Sequence, residues 1–405
     1  MEVRFRKVLR RIQAEFVKSG SLGNIWLAGG FRRRYSMEGN RAGSYDVRED
    51  EGKGEQKQYF NVYHPNALTG MDSADVFEVS ERMNLFIKKI YYQCGFLSGT
   101  AAGERQMEVK NLQAYKRELA ACFAEKGISM SAAEVYGKEP DRLLGEKLAY
   151  FRLLDTEPRL MGSDIIRGNI RMGDRRVAYR KRQIFEMTRF HGLSLRGYTP
   201  PAADMISGLM SDLSAYEGER NRSETLIQSA LICYQFLAVM PYEEDNLLWA
   251  GILANAFLRE RGLFVGYYIP LVRYFLERDA ERKASMGGVR QEGRYEIWVE
   301  FYLQVLEEAM ERTKRFVVAA ERLHEKSCLA VSGEKQRDLL VRMIEYMERV
   351  PIFDIKDIAG EFDIVYNTAA KMIAIFEKRG LVSEISKRQR YRLYQYDAYV
   401  KEIMK

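Results

Sequence analysis

Residues 223–262 read SETLIQSALICYQFLAVMPYEEDNLLWAGILANAFLRERG, two apolar runs joined by a short acidic loop. Ser223 is placed to cap the first run and Gly262 to stop the second, so the spacing predicts two helices. Between them Glu243, Glu244 and Asp245 crowd three carboxylates in front of Leu247, Leu248 and Trp249. A loop of that kind is either a solvated turn or a place for something polar, such as a metal or a phosphate.

Working outward, the chain reads as mainly helical. Upstream, YTPPAADMISGLMSDLSAYEG (198–218) predicts a helix with prolines in its first turn, ending at Gly218. Residues 164–199 are basic, with β-branched and aromatic residues between glycines, and read as a loop with a short hairpin. Three more helical patterns precede them, in 76–97, 107–127 and 139–154. Downstream, residues 294–326 form one or two long helices, and VSGEK (331–335) reads as a joint. The last segment carries helical stretches on both sides of FDIVY (362–366), a strand pattern in RQRYRLYQY (388–396) and a closing helix around Tyr399 and Val400. This gives three divisions: 1–78, of undecided fold and with a polar loop or linker at REDEGKGEQKQ (48–58), then 79–330 and 334–405.

The 405 residues, 46% hydrophobic and 30% charged, suit a multidomain globular protein. Nothing approaches a membrane span, and the N-terminus lacks the apolar core of a secretion signal, so a cytoplasmic setting without membrane contact is expected. Cys94, Cys122, Cys233 and Cys328 are far apart, and His64, His191 and His324 are scattered, which argues against a disulfide framework or a zinc site. The net charge of +7 is carried by residues 1–41, a basic arm suited to nucleic acid or an anionic surface.

The helix–loop–helix and its flanks resemble the Fic (Fido-fold) family of nucleotidyl-transferring domains, whose signature is His-Pro-Phe-x-Asp/Glu-Gly-Asn-Gly-Arg-x-x-Arg. The matching positions run from Met240, Pro241, Tyr242, Glu243, Glu244, Asp245 and Asn246 to Leu247, Leu248 and Gly251. GNIR (168–171), CYQF (233–236) and WVEFYL (298–303) resemble the family's surroundings. The resemblance implies a helical domain that transfers AMP from ATP with Mg²⁺ or Mn²⁺ to a hydroxyl of a protein target. Glu244 would be the metal-binding carboxylate and, with Asn246, the conserved part of the nucleotide loop.

The remaining positions depart from the pattern. Met240 replaces the general-base His, and a thioether takes no proton at neutral pH. Asp245 and Leu247 replace the glycines whose backbone N–H groups cradle phosphate, and Leu248 and Gly251 replace the two arginines. A loop of net charge −3 would face a polyanion. The family's inhibitory helix, Ser/Thr-x-x-x-Glu-Gly/Asn, has a counterpart near 98–125. It aligns either as Thr100 with Glu104 followed by Arg105, or as Ser98 with Ala102 and Gly103. In either register the Arg that such a Glu would hold is gone. The expectation is a pseudo-enzyme of AMPylation, with an active, metal-assisted adenylyltransferase as the alternative.

Residues 334–405 resemble the winged-helix module found behind many Fic domains. The resemblance places Asn367, Thr368 and Lys371 toward a DNA major groove, and Arg388 and Arg390 on its phosphates. This segment nets only +2, so duplex DNA, a protein partner and a homodimer contact all stay open, as does a role in transcriptional regulation.

Overall fold

The computed structural model describes residues 39–50, 58–70, 77–100, 104–172, 174–190, 193–218, 224–264, 266–386 and 392–405. They form a mainly α protein with small antiparallel sheets, in two compact units. The first holds the described residues of Met1–Lys88, Pro158–Arg261 and Glu277–Val305. The second holds those of Lys89–Glu157, Gly262–Leu276 and Leu306–Lys405. The unit that contains residues 334–405 therefore also takes in earlier stretches of the chain.

The first unit opens with a hairpin, β1 (Gly43–Asp50) against β2 (Gln58–Pro65), registered from Gly43↔Pro65 to Asp50↔Gln58. The polar run at 48–58, read from the sequence as linker, thus supplies the ends of both strands. Helix α1 (Glu81–Gly99) follows. In the second unit come α2 (Glu104–Glu125), α3 (Ala132–Tyr136) and α4 (Arg142–Thr156). Asp141 caps α4 by accepting from the Leu143 N–H at 2.8 Å.

Back in the first unit, α5 (Pro158–Arg167) is a helix where a loop was expected at its C-terminal half. Proline starts it, since its missing N–H is not needed at the first position. Two hairpins follow, where one was expected: β3 (Ile170–Met172) with β4 (Arg175–Val177), and β5 (Glu186–Phe190) with β6 (Leu193–Tyr198). The two prolines at 200–201 precede a short 3₁₀ turn at Ala203–Met205, and only then does α6 (Ile206–Gly218) begin. They sit outside the helix because Ala202 is still extended.

Helix α7 (Thr225–Val239) is buried from Leu226 to Val239, and α8 (Asn246–Glu260) is nearly as enclosed. A helix apolar on all sides has to be central. Helices α5, α6 and α8 pack around α7 or one another. Glu224 caps α7, accepting from the N–H groups of Leu226 and Ile227 at 2.8 and 3.0 Å. Ser223, the expected cap, lies outside the described residues. Helices α9 (Leu271–Glu277), α10 (Asp279–Glu292) and the single long α11 (Glu296–Ala330) complete the middle of the chain. The Trp298 indole donates to the Ala230 carbonyl at 2.7 Å and the Tyr302 and Ser229 hydroxyls share a bond of 2.7 Å, fixing the start of α11 on α7.

In the second unit, α12 (Arg337–Arg349) leads into β7 (Ile352–Asp354), α13 (Ile355–Glu361), α14 (Tyr366–Lys378), β8 (Val382–Glu384), β9 (Leu393–Tyr396) and α15 (Asp397–Met404). The sheet is antiparallel in the order β7-β9-β8. Its core, with Ile344, Met347, Phe353, Ile373 and Phe376, also contains Val135 and Tyr136 of α3 and Ala320 of α11. Among the described residues no helix is long and apolar enough to cross a membrane.

Candidate functional site

The acidic loop between α7 and α8 is a tight, internally bonded turn. Helix α7 stops because Met240 turns left-handed (φ 46°), its N–H still bonded to the Phe236 carbonyl, and Pro241 cannot continue the ladder. Tyr242 then folds inward, fully buried, with its hydroxyl donating to the Ile165 carbonyl of α5. Its ring stands edge-on to Trp249 at 6.4 Å and 6.1 Å from Phe236, an aromatic plug beneath the turn. Asp245 is also left-handed (φ 62°) and precedes the first residue of α8 without capping it by its side chain.

Asn246 locks the turn. Its Oδ1 accepts the Tyr242 N–H at 2.9 Å, and its Nδ2 donates to the Tyr242 carbonyl at 2.7 Å. Both ends of the amide are committed to protein backbone, and the residue is buried. Glu243 and Glu244 point to solvent, with Arg182 Nε 3.9 Å from the Glu243 carboxylate. Leu247 is half-buried, Leu248 is buried, and Gly251 lies inside α8, its carbonyl accepting from the Asn255 amide at 3.0 Å.

One residue that sequence reading passed over holds this turn from behind. Arg180, 2% exposed, donates from Nε to the Met240 carbonyl at 2.8 Å and from Nη1 to Arg182 O at 3.0 Å. Its Nη2 reaches the carbonyls of Pro201 and, at 3.4 Å, Val239. Its own N–H donates to the Pro241 carbonyl at 2.8 Å. Burial pulls the guanidinium down to about 10, so it is still a cation at neutral pH. It sits where the carbonyls ending α7 concentrate negative charge, which explains why a buried cation is tolerated there. In sequence Arg180 is one basic residue in the run RRVAYRKR (175–182), with no local signal to set it apart.

Among the described residues, no group of three or more His, Cys, Asp or Glu side chains is arranged to hold a metal ion, the trio Glu243, Glu244 and Asp245 included. Thr100 lies in the turn after α1, its hydroxyl donating to the Leu97 carbonyl at 3.1 Å, and Glu104 is the first residue of α2. Both belong to the second unit, whereas the loop belongs to the first. Of the residues assigned to DNA, Asn367 and Lys371 are exposed on α14 and Thr368 is half-buried beside them. Arg388 and Arg390 lie outside the described residues, as does nearly all of the basic arm at 1–41.

A search of protein-family models finds no match to the chain. Among solved structures the chain is similar to a Fic family protein from Desulfovibrio desulfuricans G20. The two are 14% identical, the match covers 79% of this chain and 97% of that one, and the TM-score is 0.47.

Proposed function

We propose that this chain is a regulatory protein with a Fic-like helical body that has lost nucleotide transfer, coupled to a C-terminal winged-helix module. The observation that carries the loss is the closed turn at 240–246, where the Asn246 amide is spent on Tyr242 and the Arg180 guanidinium on backbone carbonyls. Neither is left to grip a phosphate. The left-handed backbone at Asp245 supports the Fic-like reading, because it is the conformation a glycine of the family signature would take. With Met240 at the base position and Leu248 and Gly251 at the arginine positions, the turn can neither remove a proton nor clamp a polyphosphate.

The test is incubation of the native chain and of Met240→His with labelled ATP and Mg²⁺ or Mn²⁺. Neither should label itself or added protein, because a base without a positioned phosphate has nothing to act on. Robust labelling by either protein overturns the reading.

A second reading, duplex DNA binding, is favoured by α14. Ala369, Met372, Ile373 and Phe376 are buried on one face, while Asn367 and Lys371 stand one turn apart on the exposed face, beyond Val365 and Tyr366. The strand order β7-β9-β8 behind α13 and α14 suits a winged helix that presents this face. Gel-shift titration against duplex DNA near 50 mM salt tests it, and absence of binding there removes it.

A further inference from the structure

On α11, His324 and Cys328 are one turn apart, and the imidazole Nε2 stands 3.5 Å from the Cys328 Sγ. The other ring nitrogen, Nδ1, is 3.0 Å from Oε1 of Glu348 on α12. A carboxylate only accepts, so Nδ1 carries the proton and Nε2 presents its lone pair to the thiol. Carboxylate, imidazole and thiol thus stand in the order a general base needs to draw a proton from sulfur. The groups facing them are Glu345 toward both His324 and Cys328, Lys110 toward His324 and Arg337 toward Cys328.

The hydrogen bond to Glu348 holds the imidazole above the usual histidine range. Burial, with the Glu348 and Glu345 charges, pushes the thiol up, so the sulfur rests protonated and needs the base at the moment it reacts. Cys328 is half-buried and the His324 side chain 22% exposed, so a small molecule can reach them. Cys94 and Cys233, by contrast, are buried.

We propose that Cys328 is a thiol-exchange site, at which His324, oriented by Glu348, takes the thiol proton as the sulfur attacks a small disulfide. Cys328 Sγ bonds to one sulfur of that disulfide, the old S–S bond breaks, and the released thiolate takes the proton from His324. The small disulfide is the only oxidant consumed. Cys328 packs against the core of the C-terminal module, next to Ser327, whose hydroxyl shares a 2.6 Å bond with that of Tyr396 on β9. A mixed disulfide there adds bulk where α11 meets that sheet.

The probe is glutathione disulfide on the full-length chain, with site-resolved mass spectrometry of each cysteine from pH 6 to 9. At pH 7 Cys328 should form the mixed disulfide at least ~10-fold faster than Cys122, the other half-buried thiol. Its rate should rise as His324 loses its proton, at a lower pH than the rate at Cys122, which has to follow its own thiol ionisation. His324→Gln should slow it about 10-fold at pH 7 and move the midpoint into the thiol range. Glu348→Gln should lower the midpoint toward about 6.5. A native rate no faster than that of Cys122, or one that rises only through the thiol range, overturns the proposal without any variant.

Discussion

Asn246 closes on the backbone of Tyr242 with both ends of its amide, at 2.9 and 2.7 Å. The two bonds are buried, so truncation takes the Asn246 amide away from a peptide N–H and a carbonyl at the point where α8 begins. Asn246→Ala should lower unfolding stability by about 2–4 kcal/mol, at roughly 1–2 kcal/mol for each buried group that loses this partner. Urea unfolding checks this. A loss under about 0.5 kcal/mol would mean that Arg180 and the Tyr242 plug hold the turn without the Asn246 amide.

Arg180 ties five backbone carbonyls around the same turn, one through its own N–H. Lysine keeps the charge but offers a single ammonium in place of the planar fork. Arg180→Lys should therefore destabilise by about 2–3 kcal/mol, the loss of two or more bonds from a buried charged donor. A lysine variant as stable as the native chain in urea would show that charge alone suffices there.

Glu118 on α2 is fully buried, accepting from the Tyr268 hydroxyl at 2.6 Å and from the N–H groups of Val272 and Arg273 at 3.1 and 3.0 Å. Burial raises its carboxyl from 4.5 to about 7. Below pH 4.5 folded and unfolded chains both hold the neutral acid, and no penalty arises. Between pH 4.5 and 7 the unfolded chain ionises first, so Glu118's contribution to stability is lost over that window. Glu118→Gln, neutral throughout, should be less stable than the native chain at pH 5. The gap should narrow by on the order of 2–3 kcal/mol by pH 7.5. Denaturant midpoints at the two pH values decide it, and a gap independent of pH contradicts the assignment.

If α14 and its neighbours bind duplex DNA, each phosphate neutralised contributes about −0.9 to the slope of log K against log salt. Replacing Arg388 and Arg390 with Ala should weaken binding and flatten that slope by roughly two units. Removing residues 1–41 separates the contribution of the basic arm. An unchanged slope in the double variant would take Arg388 and Arg390 out of the interface.

The parts of the fold that sequence revealed are those whose period is long and whose ends carry proline or glycine. Helices α7 and α8 flank the acidic loop, with α8 stopping short of Gly262, as expected, and α11 is one unbroken helix. Hairpin β1–β2 escaped because its strands run into a stretch of charge and glycine that mimics a linker. At the candidate site, the losses at Met240, Leu248 and Gly251 could be read residue by residue. The closure of the turn could not, because it depends on Arg180, about sixty residues upstream, and on Tyr242 reaching Ile165. The pairing of Cys328 with His324 has the four-residue helical spacing, yet its third member, Glu348, comes from another helix. Long-range partners of this kind leave no local pattern.

The central claim is that the turn at 240–246 no longer holds a nucleotide, and thermal unfolding with ATP and Mg²⁺ tests it most directly. A ligand at 100 times its Kd stabilises the folded chain by about 2.7 kcal/mol, which is a shift of several degrees or a little less in a chain of this size. The account predicts no change in Tm with ATP at millimolar concentration, with Mg²⁺ or with Mn²⁺. A saturable rise of several degrees at micromolar ATP, abolished by Asn246→Ala in a variant that still folds, would contradict it.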